Sequence, residues 1–304
     1  MIKVKNLTKK YGDQVVVNGI SFTVKEHHIF GLLGPNGAGK TTTMEMMEGL
    51  RSPDDGSIEI AGVDAVRDRD RLKQIIGVQL QSTALFEHLT VRESLELYAG
   101  FYPKARPVLE LLQSFDLQEK EKTQVKHLSG GQRQKLAIAI AVVHDPKVIF
   151  LDEPTTGLDP QARRRLWDLI FQLRDEGRTI VLSTHYMEEA EVLCDQVAIM
   201  SQGRMLEVDS PAGLIRGLAS QSRIEFVLPD SGLDQELSEL PGVMKVSREE
   251  NEVVSIHTND LSQTLQELVP WANRHLIPLT GLRTRSATLE DVFLHKTGER
   301  LRGK

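Results

Sequence analysis

Four short stretches of this sequence carry side chains of a type and spacing that chemistry needs. The first, Gly34-Pro-Asn-Gly-Ala-Gly-Lys40-Thr41, fits the pattern GxxxxGK[ST]. An apolar strand-like run (29–33) leads into it and a helical pattern (42–50) leads out. Its glycines let the backbone wrap so that successive N–H groups point inward, and the helix start adds partial positive charge. The cradle so formed runs through Asn36, Gly37, Ala38, Gly39, Lys40, Thr41 and Thr42. Lys40 supplies a point charge for the β- and γ-phosphates of a nucleoside triphosphate, and the Thr41 hydroxyl is a ligand for Mg²⁺. A glycine-rich turn with a chance lysine would need neither the strand before it nor the helix after it. Taken alone, the motif says triphosphate binding, which GTPases, kinases and many ATPases share.

The second stretch is Asp152-Glu153-Pro154, at the end of the buried-strand run Lys147-Val-Ile-Phe-Leu151. A carboxylate at such a strand end, beside the end of the P-loop strand, is placed to hold Mg²⁺; that role falls to Asp152. Glu153 points to the other side and is suited to orienting or deprotonating the attacking water. The bland alternative, two turn carboxylates ahead of a proline, ignores the P-loop in the same unit. Third, the run 179–183 ends at Thr184-His185, which places His185 over the γ-phosphate region. Fourth, Leu128-Ser-Gly-Gly-Gln132 precedes a helical pattern, with Ser129 in the capping position and the Gly130 and Gly131 amides forming a second anion-binding helix start. One nucleotide can therefore lie between the P-loop of one copy and this motif of another.

These stretches need a scaffold, and the sequence supplies one. Residues 1–210 read as a single α/β unit in which short branched apolar runs alternate with amphipathic segments, the pattern of a mostly parallel sheet covered by helices. Between about 82 and 145 the pattern turns helical, with helices expected over 91–100, 108–115 and 132–144: a helical subdomain. The charged run 66–73 reads as a solvated helix face. A linker follows at 211–221. Residues 222–304 form a second, smaller unit with strands expected at 224–228, 243–247, 252–257 and 277–283. Helices are expected at 233–240, 261–275 and 289–296, and Leu261, Leu265, Leu268 and Ala272 line one face of the second. The order βαββαβ is that of a ferredoxin-like α+β domain.

Composition narrows the setting. With 304 residues the chain is long enough for two domains, and its 40% hydrophobic and 26% charged residues are those of a soluble globular protein. The net charge of −6 argues against nucleic acid as a partner. A single cysteine, Cys194, forms no intrachain disulfide and fits a reducing compartment. No run approaches the length of a membrane span, and the N-terminus lacks the apolar core of a signal peptide, so a cytosolic protein is expected whose membrane role comes through a partner.

In family order the chain shows GPNGAGKT (34–41), Gln81 within IGVQLQS, LSGGQ (128–132), VIFLDEP (148–154), GLDP (157–160) and STH (183–185). Over about residues 2–210 it resembles the ABC ATPases. The resemblance implies ATP and Mg²⁺ as cofactors, and Tyr11, in KKYG, as the aromatic on which adenine stacks. It also implies a head-to-tail pair, either a homodimer or a pair with a closely related ATPase subunit. In such a pair Ser129, Gly131 and Gln132 act across the interface and Asp159 couples the two sites. Gln81 would contact Mg²⁺ or the water and sense an integral membrane permease. The chain departs from the family at His27-His28, where Gly-Glu is usual; with no cysteine or carboxylate cluster nearby, this reads as a turn substitution rather than a metal site.

The closing segment 286–298 resembles the end of ATPase subunits of the daunorubicin-resistance, ABC-2-type exporters. The expectation is an ATPase on the inner face of the membrane, driving an ABC-2-type permease that exports a drug, antibiotic or lipid-like compound. Two alternatives stand beside it. One is an importer ATPase of the methionine-uptake kind with a regulatory C-terminal domain. The other is a non-transport ABC ATPase, which usually carries coiled-coil insertions or two ATPase modules, neither of which is present.

Overall fold

The computed structural model describes residues 2–81, 85–218, 222–229, 231–248 and 252–297. They fall into two compact units that divide after Ser210. The first opens with the strands β1 (Ile2–Tyr11) and β2 (Gln14–Val24), followed by β3 (Ile29–Leu33), α1 (Lys40–Met47), β4 (Asp55–Ile60), β5 (Val63–Asp64), α2 (Arg69–Ile75) and β6 (Ile76–Gln79). The helices α3 (Val91–Ala99), α4 (Val108–Ser114) and α5 (Gly130–Ala141) come next. Then follow β7 (Val148–Asp152), α6 (Pro160–Asp175), β8 (Thr179–Thr184), α7 (Met187–Leu193), β9 (Gln196–Ser201) and β10 (Arg204–Asp209).

A six-stranded sheet in the order β10-β9-β3-β8-β7-β6 forms the centre. Its pairs are parallel except for the antiparallel edge strand β10. Every residue of β3, β7 and β8 is buried, because both faces are covered, one by α1 and a second sheet, and such a sheet has no solvent side to mark with polar residues. Gly77 in β6 shows how close the cover comes: a Cβ there would sit 2.1 Å from the Ala141 carbonyl oxygen at the end of α5. That contact seats α5, whose other end carries the LSGGQ motif, directly on the sheet.

A second, antiparallel sheet, β2-β1-β4-β5, was not anticipated from the sequence. The β1–β2 register slips three times, which breaks the regular alternation that would announce a half-buried strand. The inner face of this sheet (Ile2, Val4, Val17, Ile20, Phe22, Ile58 and Ile60) packs into one core with β3 and α1. Phe22 stacks on Phe30 with ring centroids 5.1 Å apart.

The helical segment holds α3, capped by the Thr90–Glu93 capping box, then α4 and α5. Helix α5 begins at Gly130, two residues before the expected start, because Ser129 and Gln132 form a capping box of their own. The charged run at 66–73 becomes α2, with Asp68 as N-cap and Leu72 alone buried, the solvated face expected.

The second unit comprises α8 (Pro211–Arg216), β11 (Ser222–Val227), α9 (Asp234–Ser238), β12 (Val243–Arg248), β13 (Val253–Thr258), α10 (Leu261–Arg274), β14 (Arg283–Ser286) and α11 (Leu289–Thr297). Its sheet order, β12-β13-β11-β14, all antiparallel, is the ferredoxin-like arrangement. Ile224, Phe226, Val254 and Ile256 face Leu268, Trp271 and Ala272 of α10, with Leu261 and Leu265 partly buried against the same core.

The last strand differs from expectation. Residues 277–282 are loop, and the strand is Arg283–Ser286. Pro278 has no N–H to give a ladder, Gly281 turns the chain at φ +70, and Ile277 and Leu279 pack on the core from the loop. All four residues of β14 are exposed, so no apolar pattern could reveal it.

Candidate functional site

The P-loop joins β3 to α1. Gly37 and Gly39 stand at φ +82 and +99, a region that glycine enters without a Cβ penalty. At Gly39 a Cβ would also lie 2.7 Å from the Val16 carbonyl oxygen, so the loop tucks under the β1–β2 hairpin. Around Gly37 a Cβ would meet nothing within 4 Å, which leaves the cradle open to a ligand. Lys40 is 5% exposed, and its ammonium donates to the carbonyls of Gly34 (2.8 Å) and Pro35 (3.1 Å). Burial lowers its pKa, while Glu153 and Asp152 pull the other way.

The strand ends bring the remaining chemistry to this loop. Asp152, buried at the end of β7, accepts hydrogen bonds from the hydroxyls of Ser183 and Thr41. Burial raises its pKa; the two hydroxyls and Lys40 lower it, and Glu153 adds to the rise. Hard oxygen ligands beside a phosphate cradle, with no thiol or imidazole among them, form a donor set that fits Mg²⁺.

Glu153 is held at φ +48, a left-handed conformation that costs a non-glycine residue on the order of 1–2 kcal/mol. Its amide donates to both the backbone oxygen (3.2 Å) and the hydroxyl (3.1 Å) of Ser183, which fixes that turn. Three side chains then converge on its carboxylate. Gln81 Nε2 donates to Oε2 at 3.1 Å, Thr156 Oγ1 to the same oxygen at 3.2 Å, and His185 Nδ1 to Oε1 at 3.2 Å. Residues 72 and 32 positions away in sequence thus meet on one carboxylate. Neither Ser183, which the sequence shows only as part of STH, nor Thr156 has a role assigned to it from the sequence. The one signal for Thr156 was a hydroxyl three residues after Glu153, and for Ser183 its place in the strand end that carries His185.

The other motif lies elsewhere. Ser129 caps α5, its backbone N–H donating to Gln132 Oε1 (3.0 Å) while its hydroxyl accepts from the Gln132 amide. Among the described residues these bonds close on each other, and none reaches the P-loop. Gly131 faces α6 instead, where a Cβ would lie 3.2 Å from that of Ala162, and at Gly130 a Cβ would meet the Leu158 side chain, just ahead of α6, at 3.8 Å. Asp159 caps α6 by accepting from the Ala162 amide at 2.9 Å. The two helix starts therefore lie side by side. Tyr11, 42% exposed at the end of β1, has the Arg51 guanidinium 5.2 Å from its ring centroid, evidence that its face accepts a flat, electron-poor group.

His27 stands at φ +58 where glycine would be free, and its Nδ1 donates to the Gly177 carbonyl at 2.5 Å. That bond ties the turn before β3 to the turn before β8. Among the described residues there is no group of three or more His, Cys, Asp or Glu able to hold a metal.

Behind the site, Glu48 at the end of α1 is 5% exposed, and among the described residues neither of its carboxylate oxygens is hydrogen-bonded. Burial, then Asp152 and Glu45, push its pKa up to about 8. A carboxyl whose folded pKa lies above its unfolded value binds a proton on folding. The stability this contributes is complete below the ordinary carboxylate range and is lost as pH rises through about 8. Between pH 6 and pH 9 the loss amounts to about 2–3 kcal/mol. Glu48→Gln, an amide of the same shape, is expected to lack that slope, melting close to the parent near pH 4, above it by pH 6 and further above it at pH 9. Parallel melting curves across the range would show that Glu48 is ionised in the fold.

A glycine-rich phosphate loop, strand-end carboxylates in parallel β-strands and a second capped helix start define an ATP-hydrolysing cassette. Comparison with known proteins places it further. The ABC transporter family matches residues 17–156, and the C-terminal domain of ABC transporter domain-containing protein-like sequences matches residues 222–288. The Nod factor export ATP-binding protein I of Burkholderia orbicola (strain AU 1054) is 39% identical over 99% of this chain and 98% of its own. The linearmycin resistance ATP-binding protein of Bacillus subtilis (strain 168) is 34% identical over 99% and 100%. A solved ATP-binding subunit of an ABC transporter superposes with TM-score 0.65 at 31% identity, covering 71% of this chain and 92% of that one. A dimeric cassette bound to ADP and Pi gives 0.63 at 28% identity, covering 69% and 98%. The chain belongs to the ATP-binding subunits of ABC transporters: it is an ATPase, and its family works with a separate permease.

Proposed function

We propose that this chain is the motor of an exporter. It binds ATP and Mg²⁺, pairs with a second copy or a closely related subunit, and drives an integral ABC-2-type permease from the cytoplasmic face of the membrane. The observation that carries the catalytic part is the Glu153 carboxylate, held by Gln81 and His185 beside the buried Lys40. The amides of residues 36–42 and the Lys40 ammonium bind the phosphates, and Tyr11 takes the adenine. Thr41, Gln81 and Asp152 hold Mg²⁺, which when bound neutralises charge on the β- and γ-phosphate oxygens.

Glu153 orients the water and takes its proton. Gln81 and His185 fix the direction of its lone pairs, and His185 also meets the γ-phosphate. Ser129, Gly130, Gly131 and Gln132 of one subunit close on the nucleotide held by the other. Asp159 sits beside that helix start and couples the two sites.

Support for export comes from the relatives, one named for Nod factor export and one for linearmycin resistance, which match this chain across both units. A drug, antibiotic or lipid-like cargo is the class that follows. Phe86 and Phe101, exposed at 58% and 68% in and around the helical segment, are large apolar side chains suited to meeting a permease. The test is to purify a tagged Glu153→Gln chain with ATP from its native membranes. A multi-helix permease without a solute-binding lipoprotein is expected to accompany it. Recovery of ribosomes or DNA in its place would overturn the transporter assignment for this chain.

A further inference from the structure

The C-terminal unit holds a cavity of about 660 Å³, within the size range of small-molecule sites. Its floor is the face of the sheet opposite the Ile224–Phe226 core. The strand register puts Lys245 of β12 opposite His257 of β13, His257 opposite Arg223 of β11, and Arg223 opposite Arg285 of β14. Four basic side chains thus form one straight row across all four strands, each about 5 Å from the next. All four line the cavity.

Arg223 and Arg285, directly opposite each other, are like charges, an arrangement that destabilises a sheet, and Lys245 adds a third cation across the neutral His257. In a chain of net charge −6 such a row stands out. The cavity's carboxylates offset it only at one end. Glu225 pairs with Arg223 at 3.4 Å and Arg285 at 3.9 Å, and Asp291 lies 3.8 Å from Arg223 while accepting both the amide and the hydroxyl of Thr288. Glu290, exposed, sits in the first turn of α11. The Lys245 and His257 end has no carboxylate bound to it among the described residues, and burial together with Arg223 and Lys245 holds the His257 imidazole below its ordinary range. On the same face of β13, two residues along, the hydroxyl of Ser255 is fully buried with no hydrogen-bond partner among the described residues. Leu218, Ala287 and Leu294 give the cavity an apolar wall.

We propose that this cavity is a second anion site, separate from the P-loop, which binds a phosphomonoester carrying a small organic body. The phosphate lies on the Lys245–His257–Arg223 part of the row and the organic part lies against Leu218 and Leu294. The same chemistry is offered by a free phosphorylated metabolite and by a phosphomonoester lipid headgroup.

Calorimetric titration of the full chain with sn-glycerol 3-phosphate, under saturating ADP and Mg²⁺ so that the P-loop is filled, reads the free form. Co-sedimentation with phosphatidylcholine vesicles, with and without phosphatidic acid, reads the headgroup. Lys245→Gln with Arg285→Gln changes two exposed side chains, so the fold stands, and is expected to weaken binding roughly tenfold or more. The Lys40→Ala chain should bind as the parent does. Saturable binding of glycerol phosphate that the double variant loses assigns a free ligand. Binding only to phosphatidic acid vesicles, lost in the same variant, assigns a headgroup. Absence of both, or binding that the double variant keeps, overturns the site.

Discussion

Glu153→Gln is expected to slow ATP hydrolysis by about a hundred- to ten-thousand-fold, the range over which a positioned general base acts, while leaving ATP affinity close to the parent's. The glutamine fills the same volume at the strand end; its carbonyl oxygen can still accept from Gln81 and Thr156, while its NH2 replaces the oxygen that faces His185 Nδ1 and donates to that nitrogen in the matching tautomer. Its amide cannot take a proton. The left-handed turn at this position rests on backbone bonds to Ser183, which the substitution leaves untouched. Nucleotide contacts made through the P-loop are also unchanged, so the loss should fall on kcat rather than KM. An ATP-loaded species that no longer turns over should then accumulate as a dimer on gel filtration with ATP and dissociate without it. Near-normal turnover would remove Glu153 from catalysis and leave the proton to another group.

How far the site could be read in the sequence follows from how local each part is. The P-loop was legible because strand, glycine turn and helix start are contiguous in the chain. The runs at 29–33, 148–151 and 179–183 were legible because strands buried on both faces become uninterrupted apolar segments, and the strands extend the last two by one residue each. Ser129 was legible as a cap because the capping box is a four-residue pattern. What the sequence hid is non-local. Nothing in the neighbourhood of Gln81 or His185 says that both reach the same carboxylate, since that depends on the order β8-β7-β6 in the sheet. The burial of Glu48 depends on packing behind Asp152. The row from Lys245 to Arg285 exists only in the strand register, and its last member lies on a strand with no apolar residue to mark it.

Two inactive chains are expected to restore each other if the nucleotide is shared between subunits. Lys40→Ala removes the buried ammonium that sits on the P-loop carbonyls. Loss of a charge-assisted bond of about 1.5–3 kcal/mol should weaken ATP binding roughly ten- to a hundredfold. Ser129→Asp acts differently. Aspartate caps a helix as well as serine does, so α5 should stay folded, but it sets a negative charge where the proposed interface receives a phosphate. Each variant alone spoils both sites of a symmetric pair. In a mixed pair both lesions fall on one site, which leaves the other intact, with the Lys40 of one chain and the Ser129 of its partner. Mixing the two purified chains should therefore recover ATP-dependent pairing and hydrolysis that neither shows alone. With Glu153→Gln added to both chains, the mixed pair should retain nucleotide at a single site. A mixture as inactive as its components in both assays would mean that Ser129 serves the P-loop of its own chain. The geometry argues against that, because the bonds of Ser129 and Gln132 close on each other and the flanking glycines meet Leu158 and Ala162, at the start of α6, rather than Lys40.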